Sequence, residues 1–219
     1  MTAPLASRDV MDRHLGPREP ARRDGRWDGV LLVAVMAVLM WAVEVIDVFT
    51  GDLDANGIRP RDPEGLVGIV TAPFLHAGFG HLLGNTLPFM GLGVLVAVGG
   101  LARVAAVTAI VAIVAGLGTW LTAADGTVHV GASGMVFGYA AYLVGRGVFS
   151  RRLAHIAVGV AVLAVYGTTL GLGLLPEAGI SWQGHAFGAL GGLLAARALD
   201  SRRVVPRAAP AARPPYSRA

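Results

Sequence analysis

The feature that most constrains this chain is a series of six apolar stretches, each close to the ~20 residues needed to cross the hydrocarbon core of a bilayer. They run approximately Val30 to Phe49, His81 to Val98, Leu101 to Ala123, Gly131 to Phe149, Leu153 to Leu175 and Ser181 to Leu199. In lipid, only a helix satisfies the backbone of such a segment internally, so the expected fold is an all-α membrane protein, a bundle of six transmembrane helices. Composition points the same way. Of the 219 residues, 54% are hydrophobic and 15% charged, against about a quarter charged in an ordinary soluble domain. The six-helix membrane domain is expected over residues 30–199, between a polar tail at 1–29 and an Arg- and Pro-rich, disordered tail at 200–219. The first apolar run is too long for the h-region of a signal peptide and is expected to stay as the first span.

Charge sets the orientation. All 18 basic residues are Arg. Sixteen fall in the N-terminal tail, the turn after stretch two, the region between stretches four and five, and the C-terminal end; only Arg59 and Arg61 lie on the other side. Positive residues in short loops stay cytoplasmic, so both termini are expected there, which an even number of crossings satisfies. These flanking clusters, without a basic face interleaved with aromatics, argue against nucleic acid as a partner. The expected partner surface is the lipid bilayer, and the expected location is the plasma membrane of a bacterium, with the protein multi-pass. The chain has no Cys, which removes disulfides, thiolate metal sites and a cysteine nucleophile from consideration. The loop of about residues 50–80 is long for a connection between membrane helices, and loops of that length are usually either functional or disordered.

Polar side chains inside membrane spans are costly and read as functional. His81 and Asn85 stand at i and i+4 at the start of stretch two, on one helix face. Ser133 lies near the start of stretch four, within Gly131-Ala132-Ser133-Gly134, and His185 near the start of stretch six. With a cytoplasmic N-terminus the even-numbered helices all begin at the outer leaflet, so these four side chains share one depth. A Ser beside a His is the minimum for nucleophilic catalysis, and Asn with a second His can donate to a developing oxyanion. Gly131, Gly134 and Gly138 in stretch four, and Gly188 and Gly192 in stretch six, form small-residue faces that let two helices approach closely.

Taken together, His76-x4-His81-x3-Asn85, then Gly131-Ala132-Ser133-Gly134, then Gly184-His185-Ala186-Phe187-Gly188 with Gly192, resemble the rhomboid intramembrane serine proteases over about residues 57–200. The resemblance implies a dyad with Ser133 as nucleophile and His185 as general base, and an oxyanion hole formed by His81, Asn85 and the Ser133 backbone N–H. It implies His76 as a supporting histidine ahead of stretch two. Many relatives carry Tyr one turn after the nucleophile, packed on the catalytic imidazole; here Phe137 keeps the ring without the hydroxyl. The Trp-Arg pair that some relatives carry in the first loop is absent, with Arg59-Pro60-Arg61 as its candidate substitute.

Gly-x-Ser-Gly alone is weak in a chain with 31 Gly; the His-His-Asn spacing is the specific part. The function implied is an intramembrane serine endopeptidase that cuts transmembrane segments of membrane-anchored proteins near the outer face, without cofactor or metal. The alternative is a non-proteolytic rhomboid-like protein that binds transmembrane clients; such proteins usually lack the Ser or the His, and this chain keeps both. A transporter would need polar residues reaching the cytoplasmic half of the spans. A zinc protease is disfavoured because the His76 to His81 step is not His-Glu-x-x-His, and paired intramembrane Asp residues are absent. Helices five and six, joined at 176–180, are the candidate lateral gate. Among the other polar residues, Glu44 and Asp47 are expected either to pair with Arg59 or Arg61 or to meet interfacial water, His129 to sit at the rim of the site, and His14 and His155 to be solvated. Nothing in the sequence sets an oligomeric state.

Overall fold

The computed structural model describes residues 25–177 and 179–201. The expectations for 1–24 and 202–219, including His14, lie outside the described residues. Six long helices carry the fold: α1 Arg26–Thr50, α2 Phe79–Ala97, α3 Leu101–Thr122, α4 Ser133–Ser150, α5 Leu153–Gly173 and α6 Trp182–Asp200. Four of them, α1, α2, α3 and α5, are long and apolar enough to cross a membrane by length and composition. α4 and α6 are less apolar along their length, and they make the most extensive contact of any helix pair. Among the described residues there is no strand, only an isolated antiparallel bridge between Ile58 and His129.

The helix boundaries differ from the sequence reading at three informative places. α1 begins at Arg26 rather than Val30, taking in residues assigned to the polar tail. α4 begins at Ser133, so Gly131 is not on its face; it lies in the preceding turn with φ of +111°. At the other end Asp200 closes α6 instead of opening a tail.

The core forms where apolar faces of α1 to α4 meet. Val33, Met36, Ala37 and Met40 of α1 pack toward Leu82, Phe89, Leu92 and Val96 of α2, with Val104, Val107 and Val111 of α3 beneath. Tyr139 is fully buried in α4, its ring stacked on Phe89 at 5.6 Å and its hydroxyl 2.6 Å from Thr108 Oγ1. The opposite faces stay apolar: Leu31, Val35, Val38 and Leu39 of α1, and Val160, Leu163 and Val165 of α5, are exposed. A soluble protein rarely presents so much contiguous apolar surface, whereas lipid tails cover it.

α4 and α6 approach at backbone contact, and the glycines are the reason. A methyl group on Gly188 would run into the Gly134 carbonyl, and one on Gly192 into the Gly138 carbonyl. In return, a methyl on Gly134 would lie 3.2 Å from the Gly184 carbonyl oxygen and one on Gly138 3.0 Å from that of Gly188. This crossing fixes the start of α4 against the start of α6. α5 is the loosest element. It packs mainly on α4 and buries only Gly159 and Val162.

Between α1 and α2 the long loop is built from short helical turns, Leu53–Asn56, Pro63–Val67, Gly68–Thr71 and Ala72–Phe74. Its charges pair close to home, which corrects the expected pairing of Glu44 and Asp47 with the loop arginines. Arg59 binds Asp62 (2.6 Å) and Glu64 (3.1 Å), three and five residues on. This neighbourhood holds the Asp62 carboxyl below its ordinary pKa, chiefly through the Arg59 hydrogen bond. Arg61 reaches instead to Asp125 and to the carbonyls of Leu121 (3.1 Å) and Ala123 (2.7 Å) beyond α3. Trp120 Nε1 donates to the Asp62 carbonyl at 2.8 Å. Asp47 accepts from the Leu53 N–H, and Glu44 is buried.

Candidate active site

The starts of α2, α4 and α6 converge on one cavity of about 600 Å³, lined by His81, Asn85, Ser133, His185, His129 and Ser181 among others. Its centre is the pair Ser133 and His185, with Oγ and Nε2 2.8 Å apart. His185 Nδ1 lies 2.6 Å from the Gly173 carbonyl oxygen at the end of α5. A carbonyl only accepts, so Nδ1 carries the proton and donates it; in the neutral ring Nε2 is then the lone-pair nitrogen and accepts from the Ser133 hydroxyl. The backbone carbonyl thus fixes the tautomer, the orienting role that a carboxylate takes in a three-residue arrangement. Phe137, one turn after Ser133, stacks on the imidazole with centroids 4.1 Å apart and planes within 4°. Ring packing and one hydrogen bond together leave His185 a single orientation.

Asn85 is buried, and its Nδ2 has no hydrogen-bond partner within the described protein. A buried amide donor left open in a cavity beside a serine hydroxyl is what oxyanion stabilisation requires. His81 Nδ1 accepts from the Ala77 N–H at 3.4 Å, which leaves Nε2 to carry the proton of the neutral ring. Both side chains face Gly131. A methyl at that position would fall 2.7 Å from His81 Cε1 and 3.5 Å from Asn85 Nδ2, so glycine is required there by space as well as by its positive φ. Gly131 itself is held by its N–H to the Ala72 carbonyl at 2.9 Å.

His76 is 1% exposed and sits behind this arrangement, with its ring 5.2 Å from that of His81. Its Nε2 accepts from the Ala132 N–H at 3.3 Å, the residue immediately before Ser133. Burial, with the neighbouring His81, pushes its pKa down to about 4, so the ring is neutral and able to accept at pH 7. His76 therefore touches the turn that presents Ser133 rather than the Ser133–His185 pair itself.

Two contacts had no signal in the sequence reading. The Gly173 acceptor is a backbone group, and a glycine late in an apolar stretch gives no sign that its carbonyl meets His185. His129, expected at the rim, lines the cavity and bridges two loops, with Nε2 2.9 Å from Thr127 Oγ1 and Nδ1 2.8 Å from Ser181 Oγ. Burial lowers its pKa as well. Ser181 precedes α6, and its carbonyl accepts the His185 N–H at 3.1 Å. His155, expected in solvent, is half-buried and bound to Ser150 Oγ at 2.7 Å. Among the described residues no cluster of three His, Asp or Glu is arranged to hold a metal ion.

With this geometry in hand, comparison with known proteins is decisive for the family. The sequence profile described as Rhomboid domain matches residues 63–202. The chain belongs to the rhomboid family. Uncharacterized proteins of Mycobacterium tuberculosis and Mycobacterium leprae are each 43% identical to it. The first aligns over 199 residues, 84% of this chain and 82% of the relative. The second aligns over 204 residues, 87% and 80%. A Bacillus subtilis protein named "Putative rhomboid protease YdcA" is 34% identical over 130 residues, 58% of this rhomboid chain and 63% of the relative.

Proposed function

We propose that this rhomboid is an intramembrane serine endopeptidase that cleaves transmembrane segments of membrane-anchored proteins near the outer membrane face. One observation carries the reading: a hydroxyl 2.8 Å from an imidazole nitrogen whose ring is fixed by a backbone carbonyl and an aromatic face. In the first step Ser133 Oγ attacks the scissile carbonyl carbon while its proton passes to His185 Nε2. The carbonyl oxygen takes up the negative charge and is received by Asn85 Nδ2, His81 Nε2–H and the Ser133 N–H. The imidazolium then returns the proton to the leaving amine as the C–N bond breaks, leaving an acyl-serine. Water hydrolyses that ester with His185 again as base, releasing the second product and free Ser133. No cofactor takes part.

The substrate class follows from backbone chemistry. An intact helix hides its carbonyls in i to i−4 hydrogen bonds, so a segment must unwind locally before Ser133 can reach one. α5, loosely packed and touching the site through Gly173, together with α6 forms the gate by which a substrate helix enters from lipid. In this reading the chain crosses six times with both termini in the cytoplasm and works at the outer leaflet of the cell membrane, an orientation supported by the sixteen-to-two Arg asymmetry. The test is reconstitution in liposomes with a single-span protein carrying small residues at the outer end of its span. The expected result is one cut near that end, located by mass spectrometry. Equal cleavage by Ser133→Ala would refute the mechanism.

A further inference from the structure

The bundle has a second polar cavity at the end opposite the dyad. α4 runs from Ser133 to Ser150 and α6 from Trp182 to Asp200, so their far ends lie a full helix length from the site. There Arg103, Arg146, Arg152, His155, Leu199 and Asp200 line a cavity of about 380 Å³. The Asp200 side chain, 6% exposed, is its organising centre. It accepts from Arg103 Nη1 at 2.7 Å, from the Tyr142 hydroxyl at 2.9 Å and from Arg146 Nε at 3.2 Å. One carboxylate thus clamps two guanidinium groups in place and leaves a charge excess: three Arg face one Asp. Each guanidinium has five N–H donors. Among the described residues no hydrogen bond is formed by Arg103 Nη2, by either Nη of Arg146, or by the exposed Arg152 side chain.

Guanidinium forks held at a cavity wall with two uncompensated positive charges suit a group with several anionic oxygens, which is phosphate. The surroundings say which phosphate. The helix ends beside the cavity expose apolar side chains, Leu153 (81% exposed) and Val148 (64%), where acyl chains would continue from a bound headgroup into the lipid. We propose that this cavity is a binding site for the phosphate of an anionic phospholipid. Positive charge that serves orientation alone needs neither a concave site nor a buried carboxylate to aim it, whereas basic pockets between helix ends do bind anionic headgroups.

The test uses full-length protein in nanodiscs of phosphatidylcholine doped with phosphatidylglycerol, with retained lipid read by native mass spectrometry after gentle release. Wild type is expected to keep phosphatidylglycerol in preference to phosphatidylcholine. Arg152→Gln, which removes an exposed charge that forms no side-chain hydrogen bond among the described residues, is expected to weaken that preference about fivefold, the effect of one near-surface charge. Arg152→Lys should recover part of it. Arg151→Gln, the same charge loss one residue outside the cavity, should leave it unchanged. Equal loss in Arg151→Gln and Arg152→Gln, or no lipid preference in wild type, would overturn the site. Displacement of lipid by millimolar glycerol phosphate would assign the cavity to a soluble phosphate ester and overturn the lipid assignment. None of these readouts depends on proteolysis.

Discussion

The contact between α4 and α6 sets the distance on which the proposed chemistry depends, and Gly188→Ala perturbs it directly. The new Cβ would overlap the Gly134 carbonyl oxygen and lie 3.0 Å from its carbonyl carbon and 3.2 Å from its Cα, all backbone atoms that cannot rotate away. Relief requires the two helices to separate by roughly 1 Å to reach ordinary van der Waals spacing. Gly188 is one turn from His185, so the same displacement stretches the 2.8 Å Ser133–His185 bond to about 3.8 Å, beyond hydrogen bonding. A misplacement of that size costs about 100-fold in rate, or about 2.7 kcal/mol of barrier. The overpacking itself costs about 1–3 kcal/mol of stability, which a well-packed bundle survives. The assay is the second-order rate of fluorophosphonate labelling, measured beside the thermal unfolding midpoint. Gly167→Ala in α5 serves as the control, since a methyl there meets nothing within 4 Å. Gly188→Ala labelling at the wild-type rate in folded protein would refute the argument that this crossing positions the dyad.

Other expectations are separable. Asn85→Ala should lower kcat by about 10²–10³ with little change in KM, because the lost donor acts on charge present only in the transition state. Gly131→Ala should lose activity through both its φ of +111° and the 2.7 Å approach to His81, while circular dichroism stays helical. His76 gives a pH dependence of stability. Its folded pKa of about 4 lies below the unfolded value near 6.5, so between these the unfolded chain binds a proton that the folded one does not. Stability should therefore be full above pH 6.5 and fall as pH drops toward 4, and His76→Gln, which keeps an acceptor for the Ala132 N–H, should flatten part of that fall in a melting-point series.

Much of the site could be read from the sequence because helix length and charge asymmetry put His81, Asn85, Ser133 and His185 at one depth before any contact was known. The small residues Gly134, Gly138, Gly188 and Gly192 marked the two helices that come closest. What stayed hidden was of other kinds. Gly173 is fixed by space, since a Cβ there would fall 2.6 Å from Phe137 Cζ, but nothing in the sequence pairs its carbonyl with His185, and the two-loop bridge of His129 depends on turns that periodicity does not describe. Asp200 looked like the first residue of a charged tail because a carboxylate after an apolar run normally marks exit to water. Its burial follows from three donors, on Arg103, Arg146 and Tyr142, that lie 54 to 97 residues away. The Glu44 and Asp47 pairing failed for a local reason: Asp62 and Glu64 stand three and five residues from Arg59 and capture it first.

The central claim is that Ser133 is an activated nucleophile, and one measurement addresses it without knowledge of the substrate. Purified protein is treated with a fluorophosphonate and the modified peptide is located by mass spectrometry, with His185→Ala and heat-denatured protein as controls. The account predicts modification on Ser133 in the native protein and none in either control. Absence of labelling in folded wild type, or equal labelling in His185→Ala, would contradict it.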